Sequence, residues 1–235
     1  MGHTVDGTQA EYVRIPLADS GLHHVPKGVD EKSLVMLSDI LPTGLECGVL
    51  NGKVQPGSTV AIIGVGPVGL AALITAKLYS PSLIIAIDRD PNRLKVAKQL
   101  GADHTVNISE VSAEEAVMGV TDQTGCDTVI EAVGYPETIE LAQDLLAPTA
   151  TLANVGVHGK SCKLKIEKLW GHNISLTTRL VDTITTPLLL KLLASGKIDP
   201  SPLITHSFSF SDMEKAYTTF KAAAQHDALK MLISM

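Results

Sequence analysis

Short apolar runs alternate with longer helical patterns through the middle of the chain, between residues 41 and 178. Such runs predict strands, and they fall at 59–63, 83–87, 128–133, 151–157 and 174–178. Strands that are apolar throughout and separated by helices are typical of a parallel sheet covered on both faces. The pattern therefore predicts an α/β fold with a doubly wound parallel sheet.

Helical patterns fill the intervals between these strands. The segment 67–78 has the length and composition of a buried helix, and another helix is predicted over about 136–146. Asp90 and Pro91 supply an N-cap and a first-turn proline to a helix that ends near Gly101. These signals favour the repeated strand–helix–strand units of a parallel sheet.

The two ends of the chain differ from the middle. Residues 1–40 contain an alternating stretch at 10–15 followed by turn signals, which predicts strands and turns of a small β-rich piece. Residues 179–235 predict two helices around short extended segments. A Thr-Pro pair at 186–187 begins the first of these helices, and a capping box at 211–214 begins the second.

Composition narrows the classes of partner. The chain is 45% hydrophobic and 3% aromatic, with a formal net charge of −6. Nucleic-acid binders usually present a basic face and aromatic stacking platforms, so no nucleic-acid partner is expected. The most apolar run, 61–76, is interrupted by glycines and a proline and is shorter than a membrane span. Membrane insertion is therefore not expected either.

Cysteine usage favours a reducing compartment. Cys47, Cys126 and Cys162 are widely spaced and odd in number, so neither a disulfide framework nor a zinc knuckle is predicted. Residues 1–14 carry charges early and lack the apolar centre of a secretory signal. The expected location is the cytoplasm.

The strongest motif is a glycine-rich loop, GVGPVG, which begins at Gly64 between a predicted strand and a predicted helix. Gly64 permits a tight turn, Gly66 lets a pyrophosphate approach the backbone, and Gly69 lets the helix lie close to the sheet. Pro67 and Val68 open the helix, whose N-terminus offers N–H groups and a positive dipole end to an anion. The motif predicts dinucleotide binding; the alternative is a close helix–strand crossing without a ligand.

The type of coenzyme is indicated by Asp88, at the end of the second predicted strand. A carboxylate there accepts hydrogen bonds from the ribose hydroxyls and repels a 2′-phosphate, which selects NAD over NADP. The next residue, Arg89, points the other way, because an arginine accommodates a 2′-phosphate. The alternative for Asp88 is a turn carboxylate at a strand end.

From about residue 5 to its C-terminus, the chain resembles the zinc-dependent alcohol dehydrogenases of the medium-chain dehydrogenase/reductase superfamily. The resemblance rests on the order and spacing of DGTQAEYVRIP (6–16), SDILPTG (38–44), PGSTVAIIGVGPVGL (56–70), AIDRDPNRLKVAKQLGAD (86–103), NVGV (154–157) and PLITHSFSF (202–210). It implies a Rossmann coenzyme domain, residues 41–178, inserted into a GroES-like, β-rich catalytic domain. Residues 1–40 and 179–235 would be two pieces of that catalytic domain.

Several features of the family are missing from this sequence. Family members carry a catalytic cysteine, a Gly-His-Glu motif and often a four-cysteine structural zinc lobe before the region matched here. This chain has no His-Glu dipeptide and no cysteine before Cys47. The expectation is a family member that begins partway through its catalytic domain, in an incomplete, inactive or weakly NAD-binding form.

The resemblance also implies roles for single residues. Asp39 takes the place of the last catalytic zinc ligand, and Thr43 that of the residue packed against the nicotinamide. Arg93 matches a basic residue near the adenosine ribose, and Lys230 one that reaches the pyrophosphate. The residues that would line the nicotinamide pocket are Val133, Val155, Gly156 and Val157.

Asp39 also has an interpretation that needs no metal. Ser38-Asp39 before an apolar run is a normal helix start, where the carboxylate would accept hydrogen bonds from backbone amides. A catalytic zinc needs three protein ligands, so zinc is expected in the complete enzyme and not in this chain. His23, His24 and Cys47 are of residue types that can bind metals, but they are predicted to be structural.

Residues and resemblance together predict an NAD-dependent oxidoreductase that interconverts a small alcohol with an aldehyde or ketone. In the complete enzyme, zinc would act as a Lewis acid on the substrate oxygen while a hydride passes to the nicotinamide. Two alternatives stay open: a quinone-type reductase of the same superfamily that needs no zinc, and a nucleotide-binding module without catalysis. A homo-oligomer is expected, because family members are dimers or tetramers.

Overall fold

One six-stranded parallel sheet dominates the computed structural model, which describes residues 2–235. Its order, β3-β2-β1-β4-β5-β6, is that of a doubly wound dinucleotide-binding fold. The strands are β1 (Thr59–Ile63), β2 (Leu83–Asp88), β3 (His104–Asn107), β4 (Cys126–Glu131), β5 (Leu146–Asn154) and β6 (Ser175–Thr178). The predicted α/β fold with a doubly wound parallel sheet is confirmed.

Helices connect the strands and extend to both ends of the chain. The α-helices are α1 (Ala18–Gly21), α2 (Glu31–Leu34), α3 (Ile40–Pro42), α4 (Pro67–Ala76), α5 (Pro91–Leu100), α6 (Ala113–Val120), α7 (Pro136–Asp144), α8 (Ile166–Leu169), α9 (Thr186–Ala194) and α10 (Met213–Lys221). A π-helix spans Thr43–Leu50. Short 3₁₀ turns are Val35–Leu37, Lys77–Tyr79, Ser201–Leu203, Phe210–Asp212 and Ala223–Gln225.

Two hydrophobic cores lie on opposite faces of the sheet. In β1, Val60 and Ile62 belong to one buried cluster, whereas Ala61 and Ile63 belong to the other. The first cluster includes side chains of α4, α9 and the π-helix, and the second includes side chains of α6 and α7. Because helices cover both faces, the strands must be apolar throughout, which explains the continuous apolar runs in the sequence.

The π-helix crosses α4 at very short range. A Cβ atom added to Gly44 would lie 2.5 Å from the backbone nitrogen of Ala72, so only glycine allows this approach. Since α4 begins at the glycine-rich loop, this contact fixes the π-helix relative to the loop. π-Helical geometry is rare and frequently occurs at functional sites.

Residues before α3 depart from the prediction. The expected strand at 10–15 is absent: the described residues up to 39 contain only α1, α2 and a 3₁₀ turn. Residues 10–14 are exposed, and in the described part of the chain no neighbouring strand pairs with them. Alternation alone cannot hold a strand without a hydrogen-bonded partner, so the β-rich prediction for this piece is wrong.

Residues after β6 follow the prediction more closely. Helix α9 begins at the Thr-Pro signal, and α10 begins where the capping box placed it. The box itself does not form, because the Ser211 hydroxyl bonds to the Ser209 hydroxyl at 2.8 Å and no side chain caps the first turn of α10. Two parallel strands that the sequence did not resolve, β7 (Ile204–Ser209) and β8 (Lys230–Ser234), form a separate small sheet.

Among residues 2–235, no single helix has the length and apolarity needed to cross a membrane. One bent pair, formed by Glu31–Leu37 and Ile40–Leu50, meets the length and composition criteria only when its two members are taken together.

Candidate coenzyme and substrate site

A cavity of about 690 Å³ opens where β4, β5 and β6 end. In open parallel sheets, ligands bind in crevices at the carboxyl ends of the strands, so this is the expected position for a site. Many residues singled out in the sequence line this cavity together: Asp39, Thr43, Val68, Val133, Val155, Gly156 and Val157. Residues that the sequence did not single out complete the wall: Ala132, Asn154, Thr178, Arg179, Leu180 and Val181.

The glycine-rich loop has the tight turn and the close helix packing that its sequence predicts. Gly64 has φ +83°, in the left-handed region that favours glycine. A Cβ atom on Gly69 would lie 1.9 Å from the carbonyl oxygen of Gly64, so α4 lies directly against the loop. Gly66 is the N-cap of α4 and carries no capping side chain, which leaves the first N–H groups of the helix for an anion. The loop therefore fits a pyrophosphate.

Asp88 links the loop to the end of β2. Its Oδ2 accepts from the backbone N–H of Val65 at 2.8 Å, and its Oδ1 accepts from Arg89 at 2.7 Å and Asp90 at 3.0 Å. The residue is 8% exposed. Oδ2 accepts only one of these bonds and keeps its second lone pair, so the carboxylate still has an acceptor for a ribose hydroxyl while it orients the loop.

The two cations assigned to the coenzyme lie in different places. Arg93 Nη1 comes within 3.6 Å of where a Cβ atom on Gly66 would be, so this guanidinium faces the pyrophosphate cradle. Lys230 begins β8 and lines a groove with Gln9 and α10, away from the cavity that holds Asp39. Arg93 therefore lies at the glycine-rich loop, whereas the part assigned to Lys230 stays a prediction.

Asp39 does not cap backbone amides. It occupies the N-cap position of α3, but its Oδ1 accepts instead from the Thr43 hydroxyl at 3.0 Å. The alternative in which its carboxylate holds backbone amides is therefore wrong. Asp39 is exposed at the cavity, so its remaining acceptor sites face the space where a ligand would sit.

The residues present do not fit a catalytic zinc ion. Within the described residues, no group of three or more His, Cys, Asp or Glu side chains is placed to hold a metal. Cys47 lines the same cavity as Asp39, but burial raises the pKa of its thiol to about 11, which disfavours the thiolate that a metal would need.

Two buried glutamates near the site were not predicted from the sequence. Glu131 ends β4, fully buried, and its Oε1 accepts from Val133 N–H at 2.9 Å and Gly134 N–H at 2.8 Å. Glu46 is fully buried within the π-helix. The available signal was a carboxylate inside an apolar stretch, because such a group needs fixed partners to stay buried.

A family model described as "Zinc-binding dehydrogenase" matches residues 67–195 of this chain. An alcohol dehydrogenase of Cupriavidus necator is 34% identical over 97% of this chain and 63% of its own length. The NADP-dependent isopropanol dehydrogenase of Thermoanaerobacter brockii is 33% identical over 92% of this chain and 63% of its own length. The chain thus spans less than two thirds of the length of these curated relatives.

A solved structure gives the same result. The zinc dependent alcohol dehydrogenase 2 from Streptococcus pneumonia, in its apo form, superposes with a TM-score of 0.93. It is 50% identical, and the match covers 98% of this chain and 66% of that one. The resemblance inferred from the sequence blocks is therefore confirmed: this chain belongs to the zinc-type alcohol dehydrogenases of the medium-chain dehydrogenase/reductase superfamily.

Proposed function

We propose that the protein is an NAD-binding member of a small-alcohol oxidoreductase family, in which a hydride passes between the alcohol carbon and the nicotinamide. The observation that carries this proposal is the cavity at the ends of β4, β5 and β6. There Val68, from the start of α4, meets Thr43 and the segment 155–157. A dinucleotide with its pyrophosphate on the glycine-rich loop would extend its nicotinamide into this cavity.

The chain's own residues have separate tasks in this proposal. The loop and the N-terminus of α4 hold the pyrophosphate, and Arg93 supplies a positive charge beside it. Val133, Val155 and Val157 give the nicotinamide an apolar wall that keeps water from the reacting carbon. The nicotinamide, when bound, supplies the hydride acceptor.

Selection of NAD over NADP is part of the proposal. The buried Asp88 carboxylate lies at the end of β2, where a 2′-phosphate would add negative charge beside it. Arg89 is exposed, and only its backbone N–H is bound to Asp88. The T. brockii relative is named as NADP-dependent, so coenzyme type varies among the relatives and this choice needs its own measurement.

The domain division predicted from the sequence is also proposed. All six strands of the large sheet lie within 41–178, which supports that range as the coenzyme domain. Residues 1–40 and 179–235 would belong to the catalytic domain. Homo-oligomerisation remains a prediction from the family. A cytoplasmic location likewise remains a prediction, with which the three free cysteines agree.

We expect the purified chain to bind NADH but not to oxidise ethanol or 2-propanol at a steady rate. The physical reason is that one carboxylate, Asp39, cannot replace the three ligands of a catalytic zinc site. NADH formation would be followed by absorbance with added zinc, with and without a chelator. Steady formation that the chelator abolishes would contradict the expectation, and chelator-insensitive quinone reduction would favour the quinone-reductase alternative.

A further inference from the structure

Glu46 is a fully buried carboxylate in the middle of the π-helix, and the proposed reaction does not use it. Its Oε1 accepts from the backbone N–H of Thr185 at 2.9 Å and from the Thr185 hydroxyl at 2.8 Å. Its Oε2 accepts from the backbone N–H of Asp182 at 3.0 Å. Arg179 Nη2 lies 3.7 Å from the same oxygen. The carboxylate is therefore occupied on both oxygens.

These partners all belong to the segment 179–185, which connects β6 to α9 and is far from Glu46 in sequence. The start of that segment, residues 179–181, forms one wall of the cavity. The π-helix forms another part of the wall through Thr43 and Cys47. Glu46 thus joins two walls of one cavity from behind, without lining it.

The charge of Glu46 is compensated in the folded state. Burial raises the pKa of its carboxyl, but hydrogen bonds from Thr185 and Asp182 and the positive charge of Arg179 outweigh burial and leave the pKa below its ordinary value. Two other ionisable groups are near: Cys47 is the next residue of the π-helix, and the Asp182 carboxylate binds Arg179 at 2.7 Å. A lowered folded pKa means that the ionised carboxylate stabilises the fold above the unfolded pKa. This stabilisation is lost as the pH falls through the folded pKa.

We propose that Glu46 is a positioning residue that sets the width of the nicotinamide half of the cavity. The backbone of 182–185 has a fixed distance to the π-helix because two N–H groups and one hydroxyl converge on one carboxylate. The π-helix is in turn fixed on α4 by the close approach at Gly44. The inference rests on the proposed function, since it assumes that the nicotinamide occupies this cavity.

The two halves of the coenzyme should respond differently to a change at Glu46. The adenosine half is held by the glycine-rich loop and Asp88, neither of which contacts Glu46. ADP-ribose lacks the nicotinamide, so its affinity is expected to be independent of Glu46. In Glu46→Gln, one oxygen becomes an N–H donor that faces other donors, and the wall at 179–181 loses its fixed position. The nicotinamide half should then bind less well.

The experiment is calorimetric titration of the intact chain with NADH and with ADP-ribose. For Glu46→Gln we expect the Kd of NADH to rise about tenfold and that of ADP-ribose to stay within about twofold of the wild type. Thr185→Val, which removes the hydroxyl donor and keeps the carboxylate, should shift only the NADH affinity, by a smaller factor. The Thr185→Val variant also tests the proposal if Glu46→Gln does not fold.

A matched control is Val117→Ala, which opens the buried cluster on the opposite face of the sheet. It should lower the thermal midpoint and leave both Kd values unchanged. Equal losses for NADH and ADP-ribose in the Glu46 and Thr185 variants would show a general structural role, and no loss for either ligand would show no role; both results overturn the proposal. A wild-type chain that binds neither ligand would overturn the proposed function itself, and this proposal with it.

Discussion

Replacing Gly69 with alanine is expected to destabilise the protein by about 3 kcal/mol, at the upper end of overpacking effects. The new Cβ atom would lie 1.9 Å from the Gly64 carbonyl oxygen and 3.4 Å from Ile62 Cγ2. Neither the turn nor the strand can move away, because β1 is paired on both sides, with β2 and β4. Helix α4 must therefore lift from the sheet. Urea unfolding followed by circular dichroism measures the change in free energy of unfolding.

The control for this substitution is Gly119→Ala in α6. Its Cβ atom would meet no atom within 4 Å, so the helix gains propensity without a clash. The expected effect is a stabilisation of up to about 1 kcal/mol. If Gly69→Ala were as stable as Gly119→Ala, that result would contradict the close contact between α4 and the glycine-rich loop. The result would also contradict the pyrophosphate site assigned to this loop.

Replacing Glu131 with alanine is expected to cost about 3 kcal/mol as well, for a different reason. The N–H groups of Val133 and Gly134 lose their side-chain acceptor, and the Thr138 hydroxyl, which lies 2.7 Å from Oε1, keeps only the Tyr135 carbonyl oxygen at 2.9 Å. His158 Nε2 also loses the carboxylate oxygen that lies 3.3 Å away. Each buried donor left without an acceptor costs roughly 1–3 kcal/mol, reduced where water enters.

Two further variants make this measurement specific. Glu131→Gln keeps one carbonyl oxygen for the same three donors, so we expect it to lose only about 1 kcal/mol. Glu115→Ala removes an exposed carboxylate from α6 and should change the free energy of unfolding by less than about 0.5 kcal/mol. A Glu131→Ala variant as stable as Glu115→Ala would contradict the assigned hydrogen bonds.

The sheet was predictable because its signals are local. The apolar runs of β1 and β2, and the Asp90 cap of α5, depend only on neighbouring residues, and the structure reproduces them. Strand β3 was missed because it lies at the edge of the sheet, with only Val106 buried, so it has no continuous apolar run. The false strand at 10–15 shows the opposite error, a local pattern without a partner to pair with.

The candidate site was predictable only in part for the same reason. The glycines and Asp88 lie within one strand–helix–strand unit, and their spacing carries the signal. Glu46 binds residues more than 130 positions away in the sequence, so only the fold reveals its role. Asp39 could be placed near the cavity from the family resemblance. Its bond to Thr43 could not be predicted, because Ser38-Asp39 before an apolar run is the usual signal for a carboxylate that caps backbone amides.

Whether this chain binds a dinucleotide and selects NAD is tested by one pair of titrations. Purified protein would be titrated with NADH and with NADPH, and binding followed by nicotinamide fluorescence. We expect saturable NADH binding with a Kd at least about tenfold lower than that of NADPH, because Asp88 repels the 2′-phosphate. Binding of NADPH as tight as that of NADH, or tighter, would contradict it.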